Sequence, residues 1–281
     1  MILVFGSTGT VGGEVARQLI AAGEKPRLLV RDKAKAKAFE GKADLFEGDL
    51  DRPETLGPAM SGVDKVFMVV TGTNGPELEA KAIDAAKKAG VKHVVKLSVI
   101  GADQPGLTLA KWHAQGEKHL MESGLAWTMI RPGNFNTNTL GWASTIKAQG
   151  AFYQPTAEGK WASIDPADIA AVAVKALTTA GHEKKAYTLT GPESLSAAQY
   201  ASKLEGAIGK PVKFVDVPPA AAEDAMSKMG MPKAYVDALL DLMAAMKAGK
   251  ADVVTDDVQK VLGRKATSFD DWAKKNAAAF Q

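Results

Sequence analysis

Cysteine is absent from the 281 residues, which excludes disulfides, thiolate nucleophiles and thiolate-held metals. Histidine is scarce. The four, His93, His113, His119 and His182, show none of the close spacings of a zinc site, so no metal is expected. Apolar runs stop short of the ~18 residues that a membrane-spanning helix needs. No basic segment precedes an apolar one at the N-terminus, and Met1 leads straight into an apolar strand. No membrane partner is expected, and a cytoplasmic location is the simplest reading. An excess of one charge is lacking too: the net charge is +3 with both signs mixed, which argues against nucleic acid or an acidic membrane surface. Internal repeats and low-complexity linkers are absent.

What is present is an ordinary globular composition, 46% hydrophobic and 24% charged, on a chain long enough for one large α/β domain and a smaller lobe. Met1 to Phe5 is a short apolar run ending at glycine, the pattern of a buried parallel strand. Val11, Val15, Ala16, Leu19 and Ile20 then follow helical spacing, closed by Gly23. Further strands are predicted over 27–30, 43–47, 65–70, 93–99, 127–130 and 186–189, alternating with helices over 33–39, 53–60, 76–89, 109–122 and 166–178. Seven strands alternating with helices predict an α/β fold, a Rossmann-type doubly wound and mostly parallel sheet. After Gly191-Pro192 the pattern changes. Ser196 reads as the N-cap of a helix to Ile208, followed by a short strand over 212–217, helices over 220–229 and 233–248, and a terminal helix from Asp270. The expected division is a Rossmann domain over 1–191, with 136–160 contributing to a second lobe, and a smaller, mostly helical substrate lobe over 192–281.

The turn after the first strand is Gly6-Ser7-Thr8-Gly9-Thr10-Val11-Gly12. A glycine-rich turn between a first strand and first helix brings backbone close to a pyrophosphate and aims helix N–H groups at it. Gly6 would allow the tight turn, Gly9 the close approach and Gly12 the helix–strand packing. The spacing is GxxGxxG, a variant of the usual device, and its position at the first strand–helix junction raises it above a mere tight turn. The second strand ends at Val30-Arg31. A cation there, with Lys35 one helical turn beyond, suits the 2′-phosphate of NADP(H), whereas NAD(H) sites usually place an acid. The alternatives are that Arg31 is a solvated strand end and that the adjacent Asp32 serves as a ribose acceptor. NADP(H) is therefore expected over NAD(H). Gly48-Asp49-Leu50 after the third strand suits an adenine contact through Asp49 and Leu50, and Thr71-Gly72 after the fourth lies near the middle of a dinucleotide. Both pairs also fit plain turn chemistry.

These motifs resemble a family. GSTGTVG, LLVRD, GDL, KLSVIGAD at 96–103, His113-x-x-x-Glu117 followed by SGLAWTMIRPGNF, IDPADIA at 164–170 and TGPESLSAAQYA look, in this order, like the NmrA-like group of atypical short-chain dehydrogenases/reductases. The nearest branch is that of triphenylmethane reductase and NADPH:quinone oxidoreductase, and the resemblance runs from Met1 to about Phe269. It implies a Rossmann domain, NADP(H) and, in enzymatic members, hydride delivery to quinones, dyes or other conjugated acceptors. Other relatives are non-catalytic NADP(H)-sensing regulators.

Typical short-chain dehydrogenases use a Tyr-x-x-x-Lys pair and a strand serine for proton transfer. Here those helix positions fall at Leu109 and His113, while Ser98 remains at the end of the fifth strand. Leucine cannot exchange a proton, which argues against alcohol–ketone interconversion. His113 is the candidate catalytic residue beside Ser98: neutral or charged, it would orient the ribose, bond the substrate or give a proton, unless it is only a helix-face histidine. Trp112, His113, Asn134 and Phe135 are the candidate substrate contacts, the last two on the ligand-binding side of the sheet. Trp142, Met226, Met229, Met231, Met243 and Met246 either wall an apolar pocket or pack a core. The expected partner is a small conjugated electrophile, bound by a monomer or homodimer. An electrophilic acceptor needs mainly alignment with a hydride donor, so loss of the tyrosine is tolerable.

Overall fold

β1 (Ile2–Val4) is entirely buried, and its β-branched residues suit a strand covered on both faces. The computed structural model describes every residue, Met1–Gln281. After β1 come α1 (Thr10–Ala21), β2 (Arg27–Val30), β3 (Asp44–Glu47), α2 (Leu56–Ala59), β4 (Lys65–Met68) and α3 (Gly75–Lys88). Then follow β5 (His93–Leu97), α4 (Thr108–Glu122), β6 (Ala126–Pro132), α5 (Ala143–Gln149), β7 (Ala151–Gln154), β8 (Lys160–Trp161), α6 (Pro166–Thr178) and β9 (Lys185–Leu189). The chain finishes with β10 (Leu195–Ser196), α7 (Ala197–Ile208), β11 (Lys213–Asp216), α8 (Pro219–Lys228), α9 (Lys233–Lys247), α10 (Asp257–Leu262) and α11 (Phe269–Asn276). No helix is long and apolar enough to cross a membrane.

Two compact units divide the chain. The first comprises Met1–Gly106, Ala110–Pro132 and Pro166–Thr188. Its sheet has seven strands in the order β3-β2-β1-β4-β5-β6-β9. Neighbours from β3 to β6 pair in parallel, with Val4 opposite Leu28 on one side and Phe67 on the other. This is the doubly wound α/β fold expected from the alternation of elements. Pleat alternation divides the side chains. Leu3, Val66, Met68, Val94 and Met129 face a core shared with Leu56 of α2, Leu78, Ala82 and Ile83 of α3, and Leu120 of α4. Val4, Leu28, Phe67, Val95 and Ile130 are equally buried on the opposite face; there α6 lies against β4, β5 and β6 and packs on α1. The strand order reverses direction between β1 and β4, so the chain leaves these neighbours in opposite senses and opens a crevice at their C-terminal ends.

The second unit comprises Leu107–Leu109, Gly133–Asp165 and Leu189–Gln281. Periodicity predicts nothing regular over 136–160. The structure forms a 3-10 helix at Asn136–Trp142, then α5, β7 and β8. The strand expected over 212–217 is β11, which pairs in parallel with β7, and β8 pairs antiparallel with β10. Ser196 caps α7 by accepting the Gln199 N–H in a reciprocal capping box. The core is aromatic: Trp142 stacks on Phe152 with centroids 3.9 Å apart, and Tyr200 meets Trp161 and Phe269. Trp142, Met226 and Met246 are buried, so for these the packing alternative holds, while Met229 is 70% exposed.

Candidate active site

The glycine turn after β1 brings backbone close against backbone. Gly6 adopts φ +63°, where a side chain is strained, and a Cβ there would meet Val69 Cγ1 at 2.5 Å. A Cβ on Gly12 would lie 2.3 Å from the Gly6 carbonyl oxygen and 2.7 Å from that of Phe5, so α1 crosses β1 as closely as only glycine permits. α1 begins at Gly9 with no side-chain cap and no acidic residue in its first turn. Its first N–H groups therefore face outward with the positive end of the helix dipole, ready for an anion. By contrast α11 is capped by Ser268 and carries Asp270 and Asp271 in its first turn.

A groove of about 360 Å³ opens at the β1/β4 crevice, lined by Gly6, Thr8, Arg31, Asp49, Leu50 and Thr71, together with Leu29, Asp51, Asn74 and others. Six of the residues expected to hold a dinucleotide thus meet in one place. Ser7, Val11 and Gly12 are buried, the Ser7 hydroxyl without a partner in the chain. Gly9, Thr10, Lys35 and Gly72 are exposed and lie outside the lining. Lys35 sits on a 3-10 helix, Lys33–Phe39, rather than an α-helix. The Asp32 side chain caps that helix by accepting the Ala34 N–H at 2.9 Å. This engages one oxygen of the carboxylate that the sequence offers as a ribose acceptor, and among the groove-lining residues Arg31 is the cation, with Asp49 and Asp51 in the same lining.

α4 places Ala110, His113, Gly116, Glu117 and Leu120 on one stripe, at spacings of three and four residues. Facing it on β5 is Lys96, fully buried. Its ammonium forms a 2.7 Å ion pair with Glu79 of α3, donates to the Leu97 carbonyl at 3.1 Å and lies 3.3 Å from His113 Nδ1. Burial and the Lys96 charge push the His113 pKa down to about 3. Of the two protonation states the sequence leaves open, the structure selects the neutral one. Glu79 is shifted the other way, upward, chiefly by burial, with Lys96 opposing.

Ser98 is buried, and its hydroxyl donates to Glu117 Oε1 at 2.6 Å. The same carboxylate receives a two-pronged contact from Arg131, Nε at 2.9 Å and Nη2 at 2.6 Å, and Arg131 also reaches Asp103 at 3.2 Å. Ser98 is therefore engaged as a donor within a charged cluster. Trp112 is half-buried on α4. Asn134 and Phe135 belong to the second unit, where Asn134 donates to Ser163 at 3.0 Å and accepts from Asn138 at 2.7 Å, and the Phe135 backbone bridges to Ile164.

A family model described as NAD(P)H-binding matches residues 6–180. The chain belongs to that family. It is 45% identical over 284 residues to an NAD(P)H azoreductase of Xenophilus azovorans, spanning 100% of this chain and 99% of the azoreductase. The crystal structure of the NADPH-dependent quinone oxidoreductase QOR2 of Escherichia coli with NADPH aligns at a TM-score of 0.89 and 29% identity, covering 98% of this chain and 99% of that one. Triphenylmethane reductase of Citrobacter sp. aligns at 0.86 and 25% identity, covering 98% of each. By class the chain is an NAD(P)H-dependent oxidoreductase.

Sequence reasoning passes over Lys96, Glu79 and Gly116. The signal is there: a lysine interrupts the buried strand His93-Val94-Val95-Lys96-Leu97, and Glu79 falls on the apolar stripe of α3 beside Leu78, Ala82 and Ile83. A charge in each of two buried stripes calls for a partner.

The neutral state of His113 has a consequence for stability. Below about pH 6.5 the unfolded chain takes up a proton at this residue, whereas the folded chain refuses it down to about pH 3. Wild type is expected to lose stability relative to His113→Gln as the pH falls through that window, by about 1.4 kcal/mol between about pH 7.5 and about pH 5.5. Urea unfolding of both proteins at the two pH values measures it. A stability difference that ignores pH would mean that folding leaves His113 free to protonate.

Proposed function

We propose that the protein is an NADPH-dependent reductase of quinones, azo compounds or related conjugated electrophiles. The observation that carries the reading is the pairing of an anion-ready groove, with Arg31 as its cation, and a histidine held neutral on α4 where relatives of the ordinary type carry a lysine. The groove fits the cofactor: the glycine cradle admits a pyrophosphate, Thr8 and the first N–H groups of α1 would hold it, and Arg31 would take the 2′-phosphate. Asp49 and Leu50 would flank the adenine, and Thr71 the middle of the dinucleotide. NADPH supplies a hydride when bound, and a proton from water completes the two-electron reduction. Leu109 has no proton to give. The acceptor must therefore be electrophilic without acid assistance, as quinones and azo compounds are. His113 contacts substrate as a hydrogen-bond donor, with Trp112 as a further contact on the same helix. The azoreductase, quinone oxidoreductase and dye reductase among the relatives support this acceptor class.

The test is NADPH oxidation by the purified protein against a panel of quinones, azo dyes, triphenylmethane dyes and enones. Turnover with at least one class is expected, reduced in His113→Gln without loss of NADPH affinity. Tight NADPH binding with no oxidation above background would overturn the reading in favour of a cofactor-sensing regulator. For the cofactor, Arg31→Ala should weaken NADPH by about 10- to 100-fold, the worth of a charge-assisted phosphate contact. NADH, which lacks the 2′-phosphate, should lose little; equal weakening of both, in parallel fluorescence titrations, would remove Arg31 from the phosphate.

A further inference from the structure

An ammonium group has three N–H bonds and no lone pair. Around Lys96 Nζ stand an ion-pair partner, Glu79 Oε1 at 2.7 Å, and two hydrogen-bond partners, the Leu97 carbonyl at 3.1 Å and His113 Nδ1 at 3.3 Å. Each comes from a different position in the fold, α3, the strand itself and α4, and the Lys96 side chain is completely sealed. Gly116 creates the space, since a Cβ there would stand 1.6 Å from Glu79 Oε2 and 2.9 Å from Lys96 Cε. A contact with an ammonium makes His113 Nδ1 an acceptor. A neutral imidazole carries a single ring proton, which must then sit on Nε2. Nε2 makes no hydrogen bond in the chain.

We propose that Lys96 is a positioning residue: held by Glu79 and the Leu97 carbonyl, it occupies His113 Nδ1 and locks the ring as a fixed Nε2–H donor, so that the site selects acceptors bearing a lone pair where charge collects, a quinone oxygen or an azo nitrogen. The substrate part rests on His113 contacting substrate, as argued above. When hydride adds to a quinone, two electrons enter the ring system and the oxygen becomes an oxyanion, which later takes a proton from water. When hydride adds to an azo bond, one nitrogen gains the hydrogen and the other becomes an anion, protonated likewise. A donor already aimed at that atom needs no reorganisation as the charge forms. A cationic triphenylmethane carbon loses charge when hydride arrives and exposes no such atom. An Nε2–H donor gives it nothing.

The charged and titratable groups facing this cluster are Glu79 from α3, Glu117 and His113 from α4, and Lys96 from β5, with Arg131 of β6 neutralising Glu117. None but Lys96 reaches His113 Nδ1, so the lock is assigned to one side chain.

The test uses the full chain labelled with 15N-histidine and saturated with NADP+, its His113 signals assigned by their loss in His113→Gln. Wild type should show the Nε2–H tautomer, unchanged from about pH 8 to about pH 5.5. Lys96→Met should bring in the Nδ1–H tautomer, since nothing then occupies Nδ1, while burial still holds the ring neutral. Its kcat with a quinone and a neutral azo dye should fall at least about tenfold, with the NADPH Kd unaltered and cationic dye turnover falling less. Because Lys96→Met strands the Glu79 carboxylate, Glu79→Gln/Lys96→Met is made beside it, and the same spectra are read on whichever folds. An Nδ1–H tautomer in wild type, or one that Lys96→Met leaves unchanged, overturns the lock. Dye turnover that falls as far as quinone turnover overturns the selection of lone-pair acceptors. Wild-type rates in His113→Gln, with the tautomer still set by Lys96, would instead sink the substrate contact of His113 and leave the lock intact.

Discussion

Gly12→Ala should reduce affinity for NADPH by about 100-fold or more while leaving a folded protein. The new Cβ would sit 2.3 Å from the Gly6 carbonyl oxygen and 2.6 Å from its carbon, contacts that no rotamer change relieves because both partners are backbone. Either α1 lifts from β1 or the turn through Gly6–Gly9 shifts, and the Gly9 N–H to Gly6 carbonyl bond of 2.9 Å is the first to go. A displacement near 1 Å is enough to take the first-turn N–H groups of α1 out of line with a pyrophosphate, and misplacement of that size costs about two orders of magnitude. The core itself, with Val11, Val15 and Leu19 still buried, should lose about 1–3 kcal/mol of stability, the usual cost of overpacking. Fluorescence titration with NADPH, beside a circular dichroism spectrum to show that the fold survives, measures both effects. An affinity within threefold of wild type would mean that the turn does not hold the cofactor.

Gly116→Ala should have the largest effect on stability. In an open helix this substitution stabilises by about 1 kcal/mol, because glycine carries the greater conformational entropy. On α4 the sign reverses. The methyl group would lie 1.6 Å from Glu79 Oε2, so Glu79 must leave its place, and Lys96 is stranded in the core with one partner fewer. A buried ion pair adds little net stability, yet removing one partner costs about 3–5 kcal/mol, since the other charge stays desolvated. A loss of about 3 kcal/mol corresponds to a fall in Tm of roughly 6–12 °C for a chain of this size. Gly206→Ala in α7 is the control, as a Cβ there meets nothing within 4 Å. It should raise Tm slightly, while Gly116→Ala lowers it. If both substitutions raise Tm, Gly116 does not make room for the pair.

The histidine at position 113 has a sharper meaning in three dimensions than in the sequence. From its place in the helix it is open to acid, donor and ribose-orienting roles. With an ammonium beside Nδ1 and burial keeping the ring neutral, the role we propose for it is that of a hydrogen-bond donor. A similar narrowing occurs at Asp32, whose proximity to Arg31 in sequence suggests a competing ribose contact. Its Oδ1 caps the 3-10 helix at Ala34, and it is Arg31, not Asp32, that lines the groove.

The sequence by itself determined the seven strands, the helices between them and the turn at Gly6–Gly12. Those features depend on local pattern: runs of buried β-branched residues, apolar spacing of three and four, and glycine where backbone must approach backbone. It also determined Arg31 as the cation at the end of β2, because strand ends at a switch point are set by topology. Two things were decided only by the tertiary structure. One is the second unit, whose two-residue strands β8 and β10 carry too little periodicity to show in sequence and exist because their partner lies 34 residues away at the Leu195–Trp161 pairing. The other is the cluster of Glu79, Lys96 and His113. The sequence offers His113 as a candidate and leaves Lys96 and Glu79 as lone charges in buried stripes; what joins them is that α3 and α4 pack over β5 and leave one sealed space, opened by Gly116, in which a charge must find its partners or destabilise the fold.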